Sequence, residues 1–93
     1  MKIEQKLLIG NLIYNVTEVD DSELNNSLGE TNTIKQTIKI DKNLSQNHKE
    51  QVLIHEIMHA CNDVFGESEM SHLFLDSFAK QLYQVLKDNK LLN

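Results

Sequence analysis

The chain has 93 residues, 14 acidic and 9 basic side chains, and a formal net charge of −5. All nine basic residues are lysines, and this acidic balance disfavours a nucleic-acid-binding protein, which needs a basic surface patch. Hydrophobic residues make up 40% of the chain and charged residues 25%, which is typical of a globular protein rather than a disordered one. The length predicts a single domain over residues 1–93.

Membrane and secreted classes are disfavoured by three features. No apolar run approaches the ~20 residues that a membrane-spanning helix needs. Residues 1–6 lead into only a short apolar stretch at residues 7–9, which lacks the length of a signal-peptide core. Cys61 is the single cysteine, so an internal disulfide cannot form. We therefore expect a cytoplasmic protein without a membrane partner.

Two apolar segments near the start, residues 7–9 and 12–19, predict a β-hairpin. Gly10 and Asn11 lie between them, and this dipeptide is typical of a tight turn. Further on, residues 20–22 are expected to cap a short helical turn over residues 23–28, which Gly29 ends.

Residues 33–40 predict another strand, because apolar and polar side chains alternate along them. Ile34, Ile38 and Ile40 share one face of this strand with Gln36. The other face is polar, so the strand is expected to be half-buried. If it lies at the edge of the sheet, it offers a place where a bound peptide can add a strand.

The second half of the chain predicts two helices. Ser45 is a candidate N-cap for a helix over residues 46–65, which Gly66 would end. Ser68 and Glu69 would begin a second helix that runs to about residue 89. Apolar residues recur at helical spacing in both helices: Leu53, Ile57, Ala60, Cys61 and Val64 in the first, and Leu75, Phe78, Ala79, Leu82 and Leu86 in the second. We expect an α+β fold, in which a small antiparallel sheet packs against two long C-terminal helices.

The first of these helices contains an H-E-x-x-H motif over residues 55–59. His55 and His59 lie one helical turn apart on the same face, so both imidazoles can bind one Zn²⁺ ion. Glu56 is placed to take a proton from a water molecule that the metal activates. The motif therefore predicts a zinc site with a general base beside it.

A catalytic zinc site usually has a third protein ligand. His48 lies two turns before His55, about 10 Å along the helix axis, which is too far for the two to share one ion. Glu67 follows the predicted turn directly and would need a sharp reversal of the chain.

The second helix offers better candidates for the third ligand. Glu69, His72 and Asp76 share one face of it, and an antiparallel arrangement would bring any of them to the first helix. We expect His72 to be the ligand, because three imidazoles are a well-attested zinc set. Asp76 would then accept the free N–H of one zinc-binding histidine. Glu69 is the main alternative ligand.

An H-E-x-x-H motif followed by a helix with a third ligand resembles the gluzincin metallopeptidases, of which thermolysin is the familiar member. That resemblance implies a glutamate as third ligand and an aspartate four residues later; His72 and Asp76 have this spacing, with histidine in the ligand position. The chain is also similar to minimal, phage-borne members of the ImmA/IrrE-type metallopeptidases. The segments that carry this similarity are residues 9–16, 36–41, 53–60 and 78–89.

The leading hypothesis is a zinc-dependent metallopeptidase with His55, His59 and His72 as metal ligands and Glu56 as general base. The short chain leaves little room for an extended cleft, so we expect a specific protein or peptide partner, as the resemblance to regulators of repressors also implies. The alternative is a metal-stabilised, non-catalytic phage-type protein that binds a host or regulatory protein. An open coordination position would favour the enzyme, and a closed site with four protein ligands would favour the binding protein.

Overall fold

The computed structural model describes residues 1–65 and 71–88 of the chain. Its elements follow the order β1 (Gln5–Ile9), β2 (Leu12–Val19), a 3₁₀ turn (Asp21–Glu23), β3 (Gly29–Asn32), β4 (Thr37–Asp41), α1 (Gln46–Phe65) and α2 (His72–Asp88). A four-stranded sheet thus fills the N-terminal half and two helices follow it, which confirms the predicted α+β fold. No helix within these described ranges combines the length and the apolar character needed to cross a membrane.

The predicted hairpin is formed by β1 and β2. The two strands pair antiparallel, with Ile9 opposite Leu12. Gly10 lies in the turn with φ of 60°, a conformation that glycine adopts at little cost.

The sheet is mixed rather than wholly antiparallel, because β4 pairs in parallel with β2. The strand order is β1-β2-β4-β3, so β4 is internal and β3 lies at an edge. Residues 20–36 form the long crossover that a parallel pair requires, and β3 lies within this crossover. The expectation that residues 33–40 form an exposed edge is therefore wrong; β3 takes that place.

The start of the predicted strand at residue 33 is also wrong, because residues 33–36 form a turn. Oδ1 of Asn32 accepts hydrogen bonds from the backbone N–H groups of Ile34 and Lys35, at 3.1 and 2.9 Å. Gln36 then has φ of 56°, so the chain enters β4 only at Thr37. Ile34, which we expected in the core, is 90% exposed.

The core lies between the sheet and α1, which packs against β3 and β4 and touches β1. The N-terminus of α1 is capped as predicted, since the Ser45 hydroxyl accepts a 3.2 Å hydrogen bond from the backbone N–H of His48. The buried apolar cluster contains Ile3, Ile9, Tyr14, Val16, Ile38, Ile40, Val52, Leu53 and Ala60. The predicted apolar stripe of α1 thus faces this core.

Helix α2 packs on α1. It begins at His72, and the hydroxyl of Ser71 accepts a 3.1 Å hydrogen bond from the backbone N–H of Phe74. Leu75 and Ala79 are buried as predicted, whereas Phe78 is 43% exposed and lies outside the core. The predicted helix stop at residue 66 and helix start at residues 68–69 lie outside the described residues.

Glu50 joins the two helices at the end opposite the H-E-x-x-H motif. Its carboxylate is buried and accepts a 2.8 Å hydrogen bond from the Tyr83 hydroxyl on α2. It also forms ion pairs with the amino group of Met1 at 3.0 Å and with Lys87 Nζ at 3.7 Å. Because Lys87 Nζ also donates to Asn47 at 2.9 Å, the end of α2 lies beside the start of α1, and the helices run antiparallel.

Candidate metal centre

His55 and His59 come together on one face of α1, as their spacing predicts. Their Nε2 atoms lie 2.9 Å apart and their ring centroids 4.7 Å apart. Both side chains are half-buried. The two nitrogens therefore present their lone pairs or protons to the same small volume.

His72 completes the cluster from the first residue of α2. Its ring centroid lies 5.3 Å from that of His55 and 5.5 Å from that of His59. One ligand atom from each of the three histidines lies within 4.8 Å of the others. The antiparallel packing of the helices thus brings His72 to the H-E-x-x-H motif, as the sequence predicts.

The three imidazoles fit the requirements of a zinc ion in number and chemistry. Zn–N distances of ~2.0–2.1 Å in a tetrahedral site separate two ligand nitrogens by about 3.3 Å. The separation of 2.9 Å between Nε2 of His55 and Nε2 of His59 is close to this value, and a ligand atom of His72 lies within 4.8 Å of both histidines. Burial, followed by the neighbouring His55 and His72, lowers the pKa of His59, which favours the neutral ring that binds metals.

Asp76 lies next to the cluster, on the same helix as His72. Its Oδ1 is 3.6 Å from Nδ1 of His55, and its Oδ2 is 3.2 Å from Nζ of Lys80. The hydrogen bond with Lys80, assisted by the charges of Lys80, His55 and His72, lowers the pKa of Asp76. An ionised carboxylate on the Nδ1 side of His55 favours the tautomer whose Nε2 is free to bind a metal.

Glu56 is buried beside the histidines, with 7% of its surface exposed. Its Oε1 accepts a 2.7 Å hydrogen bond from the hydroxyl of Thr31 on β3. Burial raises the pKa of Glu56, and the charge of Glu30 adds to this increase. The hydrogen bond from Thr31 and the neighbouring His55 and His72 lower the pKa but do not outweigh burial. A raised pKa brings the carboxylate closer to the range in which a general base works best.

Two cavities of about 310 and 500 Å³ meet at the cluster. Both are lined by Gly29, His55, Glu56 and His72, and we refer to the two together as the cleft beside the histidine cluster. The first cavity continues between Leu28, Val52, Ala79 and Lys80 toward His48. The second continues along Glu30, Thr31, Thr33, Asn62 and Asp63. The histidine cluster therefore borders both cavities.

Among the described residues, His48 and Cys61 do not join the cluster. His48 lines the far end of the first cavity but is not one of the three clustered histidines. Cys61 packs against the apolar core, and burial raises the pKa of its thiol. Glu67 and Glu69, the other candidate ligands, lie outside the described residues.

Thr31 is the residue that sequence reasoning missed. It lies in a four-residue strand with one β-branched side chain, and no periodic pattern distinguishes this segment from a loop. Thr31 and Glu56 are 25 residues apart in the sequence, so no local pattern indicates that their side chains are in contact.

Comparisons of this chain with protein-family models, curated proteins and solved structures gave no match. The chemistry of the site is therefore inferred from its residues and their geometry.

Proposed function

We propose that the protein is a zinc-dependent peptidase. The observation that carries this proposal is the convergence of His55, His59 and His72 next to the buried carboxylate of Glu56, beside two open cavities. A structural zinc site needs neither the buried carboxylate nor the opening.

The three histidines would hold the ion, and Asp76 would orient His55 through its Nδ1 atom. Zinc in such a site supplies Lewis-acid activation of water and polarises a substrate carbonyl. Glu56 accepts a proton from water and passes it to the leaving amine of the peptide. The cleft walls formed by β3 and α1 position the peptide during these proton transfers.

The substrate that fits this chain best is an extended segment of a partner protein. The cleft is short, but β3 lies at the edge of the sheet and contributes Gly29, Glu30 and Thr31 to its lining. Main-chain hydrogen bonds to an edge strand bind extended peptides with little demand on sequence. Specificity would then come from docking surfaces outside the cleft, as expected for a small phage-type regulator.

The decisive experiment measures metal and hydrolysis separately. Purified protein is loaded with zinc, and its metal content is determined by mass spectrometry for the wild type and for Glu56→Gln. Hydrolysis is followed with a mixture of synthetic peptides and with partially unfolded casein. We expect one zinc per chain in both proteins and a loss of hydrolysis of about 10²- to 10⁴-fold in Glu56→Gln. Equal rates in the two proteins would show that Glu56 is not the general base.

A second candidate function is a zinc-stabilised binding protein without turnover. It is favoured by Leu73 and Phe74, which follow His72 directly and are 81% and 50% exposed. Apolar side chains beside the centre are typical of a protein-binding surface. If zinc binds in the wild type and none of the peptides or casein is cleaved, this candidate replaces the peptidase.

The proposal includes a cytoplasmic location and no nucleic-acid partner. A single cysteine is consistent with a reducing compartment, and the net charge of −5 repels a phosphate backbone.

A further inference from the structure

The edge strand β3 approaches Glu56 at two successive inward-facing positions, Gly29 and Thr31. In the antiparallel pairing of β3 with β4, Gly29 lies opposite Ile40 and Thr31 lies opposite Ile38. Both isoleucines are fully buried. Paired residues point to the same face of a sheet, so positions 29 and 31 both face α1.

Thr31 makes a specific polar contact with Glu56. Its hydroxyl oxygen lies 2.7 Å from Oε1 of the carboxylate and 3.1 Å from the backbone carbonyl oxygen of the same residue. The hydroxyl has one proton, and the shorter contact identifies the carboxylate as its main acceptor. The carboxylate is thus held toward β3 by a group that lies outside the helix carrying it.

Gly29 lies where any side chain would crowd the same glutamate. A Cβ atom at position 29 would lie 3.2 Å from Cγ of Glu56 and 2.7 Å from Cγ1 of Val52. The absence of a side chain therefore lets β3 approach α1 closely enough for the Thr31 hydroxyl to reach the carboxylate.

We propose that Gly29 and Thr31 act together as a clamp that fixes the side-chain conformation of Glu56. Thr31 is a positioning residue in this view, because its hydroxyl acts through the general base. The inference rests on the proposed peptidase function, because a carboxylate that transfers protons must be held in one orientation, whereas a binding protein has no such need.

The test measures the conformation of Glu56 directly by NMR. Three-bond couplings across χ1 and χ2 of Glu56 are determined in zinc-free and zinc-loaded protein labelled with ¹³C and ¹⁵N. We expect one rotamer in the wild type and in Thr31→Ser, which keeps the hydroxyl. In Thr31→Val, which keeps the shape and removes the hydroxyl, we expect averaging over several rotamers. Thr37→Val on the neighbouring strand is the matched control and should leave the Glu56 couplings unchanged.

Peptide hydrolysis by the zinc-loaded variants provides the second measurement. Thr31→Val should lose about 10- to 100-fold in rate with zinc affinity unchanged, and Thr31→Ser should recover most of that loss. Averaged couplings in the wild type, or a single unchanged rotamer in Thr31→Val, would overturn the clamp.

Failure of the proposed function gives a different result from failure of the clamp. If zinc does not bind, or if the wild type cleaves no peptide, the peptidase proposal fails whatever the couplings show. If the wild type then shows a single Glu56 rotamer that becomes averaged in Thr31→Val, the clamp on the side chain stands, and only its link to proton transfer is overturned.

Discussion

The Tyr83 hydroxyl on α2 donates a 2.8 Å hydrogen bond to Oε1 of Glu50 on α1. This bond lies at the end of the helix pair opposite the histidine cluster, so it helps to set the angle at which α2 brings His72 to α1. The acceptor is a buried carboxylate, and hydrogen bonds to buried charged groups are among the stronger ones in proteins.

Replacing Tyr83 with Phe removes the donor and keeps the aromatic ring. We expect a loss of about 1–2 kcal/mol in the free energy of unfolding, because Glu50 loses a partner in a buried environment. Urea denaturation followed by circular dichroism measures the change. Gln81→Ala, which removes an exposed hydrogen bond to Ser77 on the same helix, is the control and should change stability by less than about 0.5 kcal/mol.

Glu50 should also make stability depend on pH. Burial acts to raise its pKa, but hydrogen bonds from the Met1 amino group, Tyr83 and Gln46 together outweigh it and lower the pKa below its usual value of 4.5. A carboxylate with a lowered pKa in the folded state stabilises the protein above its unfolded pKa, and this contribution is lost as the pH falls through the folded value.

We therefore expect the wild type to lose stability between about pH 5 and pH 3 more steeply than Glu50→Gln. The free energy of unfolding, measured at half-unit pH intervals for both proteins, gives the two slopes. Glu4→Gln, which removes an exposed carboxylate, should retain the slope of the wild type. Identical slopes for the wild type and Glu50→Gln would contradict a lowered pKa of Glu50 in the folded protein.

Zinc should stabilise the fold through the histidine cluster. At a free zinc concentration of 100 times the dissociation constant, a single site adds about 2.7 kcal/mol to the free energy of unfolding. We expect this gain in the wild type and in His48→Ala, because His48 lies outside the cluster. His72→Ala should lose most of it. Thermal unfolding with and without zinc tests the ligand set, and an equal gain in His72→Ala would exclude His72 as a ligand.

Asp76 should influence zinc affinity without binding the ion. Asparagine at this position keeps the shape of the side chain and removes the charge near Nδ1 of His55. We expect Asp76→Asn to weaken zinc binding about 10- to 100-fold, the usual effect of removing a carboxylate that supports a histidine ligand. Competition with a chelator of known affinity measures the change. Lys80→Gln removes the other partner of Asp76, and we expect it to have a much smaller effect.

A side chain at position 29 should destabilise the protein, and shortening Val52 should reduce that cost. A methyl group at position 29 would lie 2.7 Å from Cγ1 of Val52, so we expect Gly29→Ala to cost about 1–3 kcal/mol. In a Val52→Ala background the same substitution should cost less, since the atom in contact is gone. A double-mutant cycle of unfolding free energies measures this coupling, and strictly additive effects would contradict the close approach.

Sequence patterns within a few residues predicted most of the elements that carry the clustered histidines. The spacing of His55 and His59 lies within one helix, and the hydroxyl of Ser45 marks where that helix begins. The hairpin around Gly10 is likewise set by residues adjacent in sequence. His72 is predicted because three imidazoles are a well-attested zinc set and an antiparallel second helix can bring it to the first.

The direction of β4 and the contact of Thr31 with Glu56 depend on residues far apart in the chain, whereas the turn at Asn32 is a missed local feature. Parallel and antiparallel pairing place the same side chains inward, so the alternation around Ile38 does not reveal the partner or direction of β4. The Asn32 side chain stops the alternation at Ile34 by forming a local turn. Thr31 reaches Glu56 only because the crossover returns β3 to the far side of β4.

The short length of β3 has a consequence for the behaviour of the protein at high concentration. A sheet edge is a template on which other chains can assemble into aggregates, and long, flat apolar edges are the most prone to do so. β3 spans only Gly29–Asn32, contains no large apolar residue and ends in a sharp turn. Strand β3, which supports Glu56, can therefore remain accessible while giving other copies of the chain little edge to pair with.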